Sequence, residues 1–157
     1  MARRRTISVI VLNEHSVLAR ISGLFAGRGY NIESLTVAPI PESDLSRLTI
    51  VTSGNEKVLE QITKQLNKLI PILKVIEHED IIEKEMVLVK FPIDGNSLSD
   101  IDALCKIYNG RILNIPENFI IAMVADAPKK IENFIKAVKK YSPKDIVRGG
   151  VVSVETI

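Results

Sequence analysis

Flat rings are scarce in this sequence: 157 residues include four phenylalanines, three tyrosines and no tryptophan. Few aromatic faces are therefore on offer for stacking on a base or sugar. A single cysteine, Cys105, excludes an internal disulfide and a thiolate-built metal site. Long apolar runs are also missing. Residues 7–12 are interrupted by Ser8 and fall far short of the roughly 18 residues that a membrane span needs. Arg3, Arg4 and Arg5 precede that run, but neither a signal-peptide core nor a small-residue cleavage site follows. A cytoplasmic protein with no membrane partner is expected, and the arginine triplet reads as a solvated terminus in preference to a contact for RNA or an acidic partner. Charge of one sign is lacking too: residues 1–80 carry 10 basic and 9 acidic side chains, and residues 81–157 carry 11 and 10. Neither half has the basic excess of a nucleic-acid domain.

What the chain does have is aliphatic bulk, in 23 Ile, 15 Val and 14 Leu. β-Branched residues at this density suit a sheet core. A single domain of this length buries about 70% of its unfolded surface, and one of half the length only about 60%.

Periodicity resolves the chain into halves. Residues 6–12 (TISVIVL) read as a strand. From Ser16, Val17, Leu18, Ile21, Leu24 and Phe25 form one helical stripe, stopped by Gly27 and Gly29. Residues 32–40 and 45–52 read as strands around the turn Pro41-Glu42-Ser43-Asp44. A second helix follows, with Ser53 and Glu56 at capping-box spacing and Val58, Leu59, Ile62, Leu66 and Leu69 inward; residues 72–78 form a last strand.

The order then repeats. Residues 85–93 are a strand. Ser97 and Asp100 have capping-box spacing ahead of a stripe of Leu98, Ile101, Leu104, Cys105 and Tyr108, ended by Asn109 and Gly110. Residues 111–115 and 119–125 are strands, Pro128 opens a helix with Ile131, Phe134, Ile135 and Val138 inward, and residues 151–155 close the unit. The fold class is α+β: two ferredoxin-like βαββαβ modules with antiparallel sheets, residues 1–80 and 81–157, divided near residues 80–84. Both helices lie on one sheet face, so the other face and the edges need cover, and pairing between copies is expected.

No residue pattern is catalytic. His15 and His78 lack metal-ligand spacing, and no nucleophile motif is present; His78 reads as a polar side chain near a strand end. Cys105 lies on an apolar stripe and reads as a small core residue. Asp100 and Asp102 point to different helix faces. Gly27-Arg28-Gly29 follows a helix instead of opening one, so it reads as a helix C-cap and not as a phosphate loop. An RNA-binding ferredoxin-like protein is the alternative reading; Phe91 and Phe119 are its nearest stacking candidates, with no aromatic-rich Lys/Arg-Gly motif around them.

Asn13-Glu14-His15-Ser16-Val17-Leu18 sits between the first strand and first helix. Backbone N–H groups at a helix N-terminus lack intrahelical partners and carry partial positive charge, a seat for a small carboxylate. Asn13 and Ser16 can equally serve as caps for those groups. Asn31, opening the next strand, adds an amide able to bind an ammonium or carboxylate group from a neighbouring subunit.

The run Leu24-Phe25, then Arg28-Gly29-Tyr30-Asn31-Ile32-Glu33-Ser34-Leu35-Thr36-Val37, resembles the small regulatory subunits of acetolactate synthase (acetohydroxyacid synthase). So do Leu45-Ser46-Arg47-Leu48-Thr49-Ile50, Glu60-Gln61-Ile62-Thr63-Lys64-Gln65-Leu66-Asn67-Lys68-Leu69 and Glu85-Met86-Val87-Leu88-Val89-Lys90. The resemblance is strong over residues 5–92 and stays in register to the end. It implies two ACT-type modules and a homodimer whose N-terminal modules pair and bind valine. It implies no activity of the chain alone, and a role in activating a large catalytic subunit and conferring feedback inhibition on it in branched-chain amino acid synthesis. Thiamine diphosphate, magnesium and FAD would belong to that partner, with no cofactor or metal in this chain and no nucleic acid bound. Carried over by residue, the effector site comprises Asn13, His15, Ser16, Val17 and Leu18, with Asn31 and Ile32 from the facing module. The family pattern has Gly where this chain has Ser16; the serine adds bulk and a hydroxyl able to cap the same N–H groups.

Overall fold

A computed structural model of the chain describes residues 2–77 and 79–157. It divides into two compact units, Met1–Ile81 with Ser153–Ile157, and Ile82–Val152. His78 lies outside the described residues.

The first unit begins with β1 (Arg3–Leu12), α1 (Val17–Gly27), β2 (Asn31–Pro39), β3 (Leu45–Gly54), α2 (Glu56–Asn67) and β4 (Ile72–Ile76). Its four strands lie in the order β2-β3-β1-β4, all neighbours antiparallel. Alternation along β1 turns Ile7, Val9 and Val11 to one face, where they meet Leu48 and Ile50 of β3 and the helix residues Val17, Ile21, Phe25, Leu59, Ile62 and Leu66. Burying one such aliphatic side chain contributes about 1.5–3 kcal/mol. These positions are the predicted stripes, with one exception: Leu18 is 42% exposed and does not join the core.

Several sequence expectations are corrected at the ends of elements. Arg3 and Arg4 are exposed, as a solvated terminus implies, but the triplet is strand and not loose chain: it extends β1, with Arg3 opposite Gly54. Arg3 meets Glu56 at 2.8 Å, and Arg5 meets Glu77 at 3.4 Å. Ser53 does not cap α2, because β3 runs on through Gly54. Asn55 takes that role, its side chain accepting the Val58 N–H at 2.9 Å. Ser97 likewise lies inside its helix, and its Oγ accepts the Asp94 N–H at 2.9 Å.

The second unit is built from β5 (Ile81–Pro92), α3 (Ser97–Ile107), β6 (Arg111–Asn114), β7 (Phe119–Asp126), α4 (Pro128–Val138) and β8 (Asp145–Arg148), with strand order β6-β7-β5-β8. Here lies the main correction. The strand that completes this βαββαβ unit is β8, paired with β5 through Val87 opposite Arg148. The predicted closing strand, observed as β9 (Val152–Glu155), is a further element whose residues from Ser153 onward group with the first unit. Every residue of β8 is exposed, so it carries no buried alternation from which a strand could be read. The proposed boundary near residues 80–84 is itself strand from Ile81 onward.

The last five residues bind the first unit by polar contacts. Thr156 donates its N–H and its hydroxyl to the Asp80 carbonyl, at 2.9 and 3.0 Å. Arg47 Nη2 donates to Ser8 Oγ at 2.8 Å and to Glu155 Oε1 at 3.3 Å.

Both first helices end in the same way. In α1, Gly29 adopts φ +69° and the Tyr30 N–H reaches back to the Phe25 carbonyl at 2.9 Å. In α3, Asn109 adopts φ +57° and the Gly110 N–H reaches the Cys105 carbonyl at 2.6 Å. Each is a left-handed C-cap closing the helix onto its next strand. Gly27-Arg28-Gly29 is therefore a helix stop, as its position after a helix predicts.

Candidate functional site

Residues 13–16 leave β1 at the end of the sheet where Leu12 opposes Leu45. Two carbonyls from other connections hold this departure: Pro71 accepts the Leu12 N–H at 3.1 Å, and Asp44, in the β2–β3 turn, accepts the Asn13 N–H at 3.0 Å. The turn is itself fixed by Ser43, whose Oγ donates to the Ile40 carbonyl at 2.9 Å and accepts the Leu45 N–H at 3.2 Å. Sequence reasoning missed Asp44 and Pro71 as supports, because backbone carbonyls act there and residue type gives no signal.

Ser16 occupies the cap position of α1, but its side chain makes no capping hydrogen bond, and no acidic residue lies in the first turn. The expected serine cap is thus not formed. Neither the cap side chain nor a first-turn carboxylate offsets the partial positive charge of this helix end. Asn13, His15 and Ser16 are exposed, Val17 is buried, and exposed Leu18 presents an aliphatic surface one turn in. A small carboxylate with an apolar side chain matches that combination.

Asn31 and Ile32 are placed elsewhere. Asn31 opposes Ser53 on β3, eight residues from Leu45, or roughly 27 Å at ~3.4 Å per residue. Asn31 is exposed and Ile32 half-buried. Within one chain the structure brings residues 13–18 together and holds Asn31 and Ile32 at the opposite end of the sheet.

The second unit repeats the architecture with different chemistry. At α3 the Ile93 N–H is held by the Asn118 carbonyl at 3.0 Å, the counterpart of the Asn13 to Asp44 bond. An open cleft of about 450 Å³ lies there, lined by Gly95, Asn96, Leu98, Ser99, Asp102 and Ile112. Asp100 in the first turn and Asp102 in the lining oppose a carboxylate ligand. The first unit's helix end is the better anion seat.

The remaining candidates are absorbed by the core. Cys105 is fully buried, and burial, then the Asp102 charge, push its thiol up to about 11, so it is not a ready nucleophile. Phe91 is fully buried. Phe119 is half-buried, with Lys90 Nζ 4.4 Å from its ring centre. Neither stands free for stacking. Among the described residues no three His, Cys, Asp or Glu side chains converge as a metal site, and no helix is long and apolar enough to cross a membrane.

Comparison with known proteins agrees with this architecture. Residues 7–74 match the family described as AHAS small subunit-like ACT domain, and residues 84–157 match that described as small subunit of acetolactate synthase. The chain is 40% identical over 152 residues to the acetolactate synthase isozyme 3 small subunit of Escherichia coli, covering 95% of this chain and 93% of that protein. It is 41% identical over 151 residues to a probable acetolactate synthase small subunit of Archaeoglobus fulgidus, covering 96% and 95%. The crystal structure of the acetolactate synthase small subunit from Thermotoga maritima superposes with a TM-score of 0.89 at 33% identity, covering 99% of this chain and 98% of that one.

Proposed function

The chain belongs to the acetolactate synthase small-subunit family, and from that premise we propose that it is a cytoplasmic regulatory subunit without an active site of its own. It binds a large catalytic subunit, raises its activity and makes it subject to feedback inhibition by valine. Thiamine diphosphate, magnesium and FAD belong to the large subunit. The observation that carries the effector reading is the uncapped N-terminus of α1 beside exposed Leu18. Valine's carboxylate takes the N–H groups and its isopropyl group lies on Leu18. The two parts of the site, far apart in one chain, meet when the first units of two chains pair, so that Asn31 of one completes the site of the other.

Titrating the purified chain into its large subunit is expected to raise the rate of acetolactate formation to a plateau, and valine is then expected to lower it. An unchanged rate at saturating chain rejects the regulatory reading. The site has its own test in calorimetry. Ser16→Gly, which lets a carboxylate approach the backbone more closely, is expected to tighten valine binding roughly fivefold, equivalent to about 1 kcal/mol. Asn31→Ala is expected to weaken it by about 1–2 kcal/mol through the lost hydrogen bond. Valine binding indifferent to both substitutions places the site elsewhere.

A further inference from the structure

One corner of the first unit displays aliphatic side chains that its own fold does not use. The connection from α2 to β4 is a tight turn: the Ile72 N–H donates to the Leu69 carbonyl at 3.1 Å, which leaves Ile70 and Pro71 at its tip. Pro71 is buried, and its carbonyl accepts the Leu12 N–H at 3.1 Å, so the turn is clamped against the end of β1. Ile70 is nonetheless 91% exposed. Turn tips ordinarily carry Gly, Pro, Asn, Asp or Ser, each for a backbone reason that isoleucine does not serve.

Leu73 is presented by a different device. Ile10 opposes Lys74 and Val11 opposes Ile72, so the irregularity in the β1–β4 pair falls on Leu73 as the extra residue of a bulge. A bulge re-aims its unpaired side chain, and Leu73 is exposed. Leu12, the last residue of β1 and the one bonded to Pro71, is exposed as well. A turn and a bulge thus set three large aliphatic side chains at one corner of the sheet. Single exposed apolar residues need no explanation, but a cluster of them marks a contact.

The rim of this cluster is basic. Lys64 of α2 pairs with Glu60 at 3.6 Å, but exposed Lys68 and Lys74, on either side of the turn, have no ion-pair partner among the described residues. The bulge and Lys74 also blunt β4 as an edge for strand addition, which disfavours a second copy as the occupant and leaves recognition to side chains.

From these observations we propose that the corner formed by Leu12, Ile70 and Leu73 docks on the large catalytic subunit, in an apolar groove whose border carries carboxylates facing Lys68 and Lys74. The proposal rests on the regulatory-subunit reading given above and adds to it the surface that meets the partner. Three aliphatic side chains make the centre of such an interface, where a change costs most, and the lysines its polar rim. The position also gives an effector a short route to the contact. Leu12 and Asn13 are consecutive, the N–H of the first held by Pro71 and that of the second by Asp44. A ligand seated at residues 13–18 therefore bears on the segment that supplies one of the docking side chains, as coupling between two sites requires.

The test is an activation titration of the full chain into its large subunit. Ile70→Asp puts a carboxylate into the apolar centre and is expected to raise the concentration giving half-maximal activation about tenfold. Valine binding by calorimetry, oligomeric state by light scattering and melting temperature are expected to match the native chain. Ile107→Asp, at a comparably exposed isoleucine of the second unit (72%), is expected to leave half-activation unchanged. Lys68→Glu combined with Lys74→Glu is expected to raise it about threefold, with the loss shrinking at high salt. Half-activation indifferent to Ile70→Asp overturns the docking site, and so does an equal loss from Ile107→Asp. A changed oligomeric state assigns the corner to a contact between copies and lost valine binding assigns it to the effector seat; either result overturns the proposal. If Ile70→Asp lowers the melting temperature, Ile70→Ala replaces it, with a loss of about threefold expected and an unchanged value again overturning the site. A native chain that gives no activation at any concentration rejects the regulatory reading itself.

Discussion

Gly110→Ala is expected to destabilise the second unit by about 3 kcal/mol, at the upper end of what overpacking usually costs. A Cβ at this position stands 2.5 Å from the Met123 carbonyl oxygen and 2.5 Å from Val124 Cγ2. The carbonyl cannot retreat cheaply, because Met123 is paired on one side with Leu88 and on the other with Arg111. The Gly110 N–H is meanwhile bonded to Cys105 at the end of α3, so the helix would have to shift against the sheet. For a unit of this size the loss lowers the melting temperature by roughly 12–24 °C. Gly23→Ala is the control: the added methyl meets nothing within 4 Å, and alanine in a helix interior is expected to stabilise by about 0.5–1 kcal/mol. Equal melting temperatures for the two variants contradict the account.

Asp126→Ala is the second large effect, expected to cost about 2 kcal/mol at neutral pH and much less in acid. The Asp126 side chain is only 5% exposed, and its Oδ1 accepts from Lys84 Nζ at 2.9 Å and from the Ala127 N–H at 2.8 Å. Asn109 donates to Oδ2 at 3.3 Å. The Lys84 hydrogen bond, followed by that from Ala127, holds the carboxyl at about 2 instead of 3.8. A carboxylate whose folded pKa is depressed stabilises the fold fully above its unfolded value, near 4, and loses that contribution as pH falls towards the folded value. The gap in unfolding free energy between the native chain and Asp126→Ala should therefore shrink between about pH 5 and pH 2. A gap that stays constant over that window rules out the charged interactions as its source.

Regular alternation made most of the architecture legible. The stripes Ile21 and Phe25, Leu59, Ile62 and Leu66, and Ile131, Phe134 and Val138 are all buried as the spacing predicts, because a helix that must cover a sheet repeats its apolar residues every turn. Capping motifs were less reliable. Ser53 and Ser97 had suitable spacing, yet strand pairing carried β3 past the first and a backbone bond from Asp94 engaged the second. β8 was missed because a fully exposed edge strand shows no buried alternation; it is held by its pairing with β5 and by Arg148, whose guanidinium donates to Glu85 Oε1, and neither contact leaves a local periodic mark on the sequence.

For the site, Asn13, Ser16 and Leu18 could be chosen from the sequence because a helix N-terminus is a local feature. That Ser16 would leave α1 uncapped, that Leu18 would face outward, and that the Asp44 carbonyl would hold Asn13 depended on how distant connections meet at one end of the sheet. Two aliphatic βαββαβ units and their family were legible without coordinates, since period and composition are local and the segments quoted for the resemblance are specific. The grouping of Ser153–Ile157 with the first unit, the distance of Asn31 from Asn13 along the sheet and the burial of the Ser34 and Thr36 hydroxyl oxygens without partners emerge only on folding. Those outcomes follow from strand register and packing between residues far apart in the chain, which local sequence patterns do not encode.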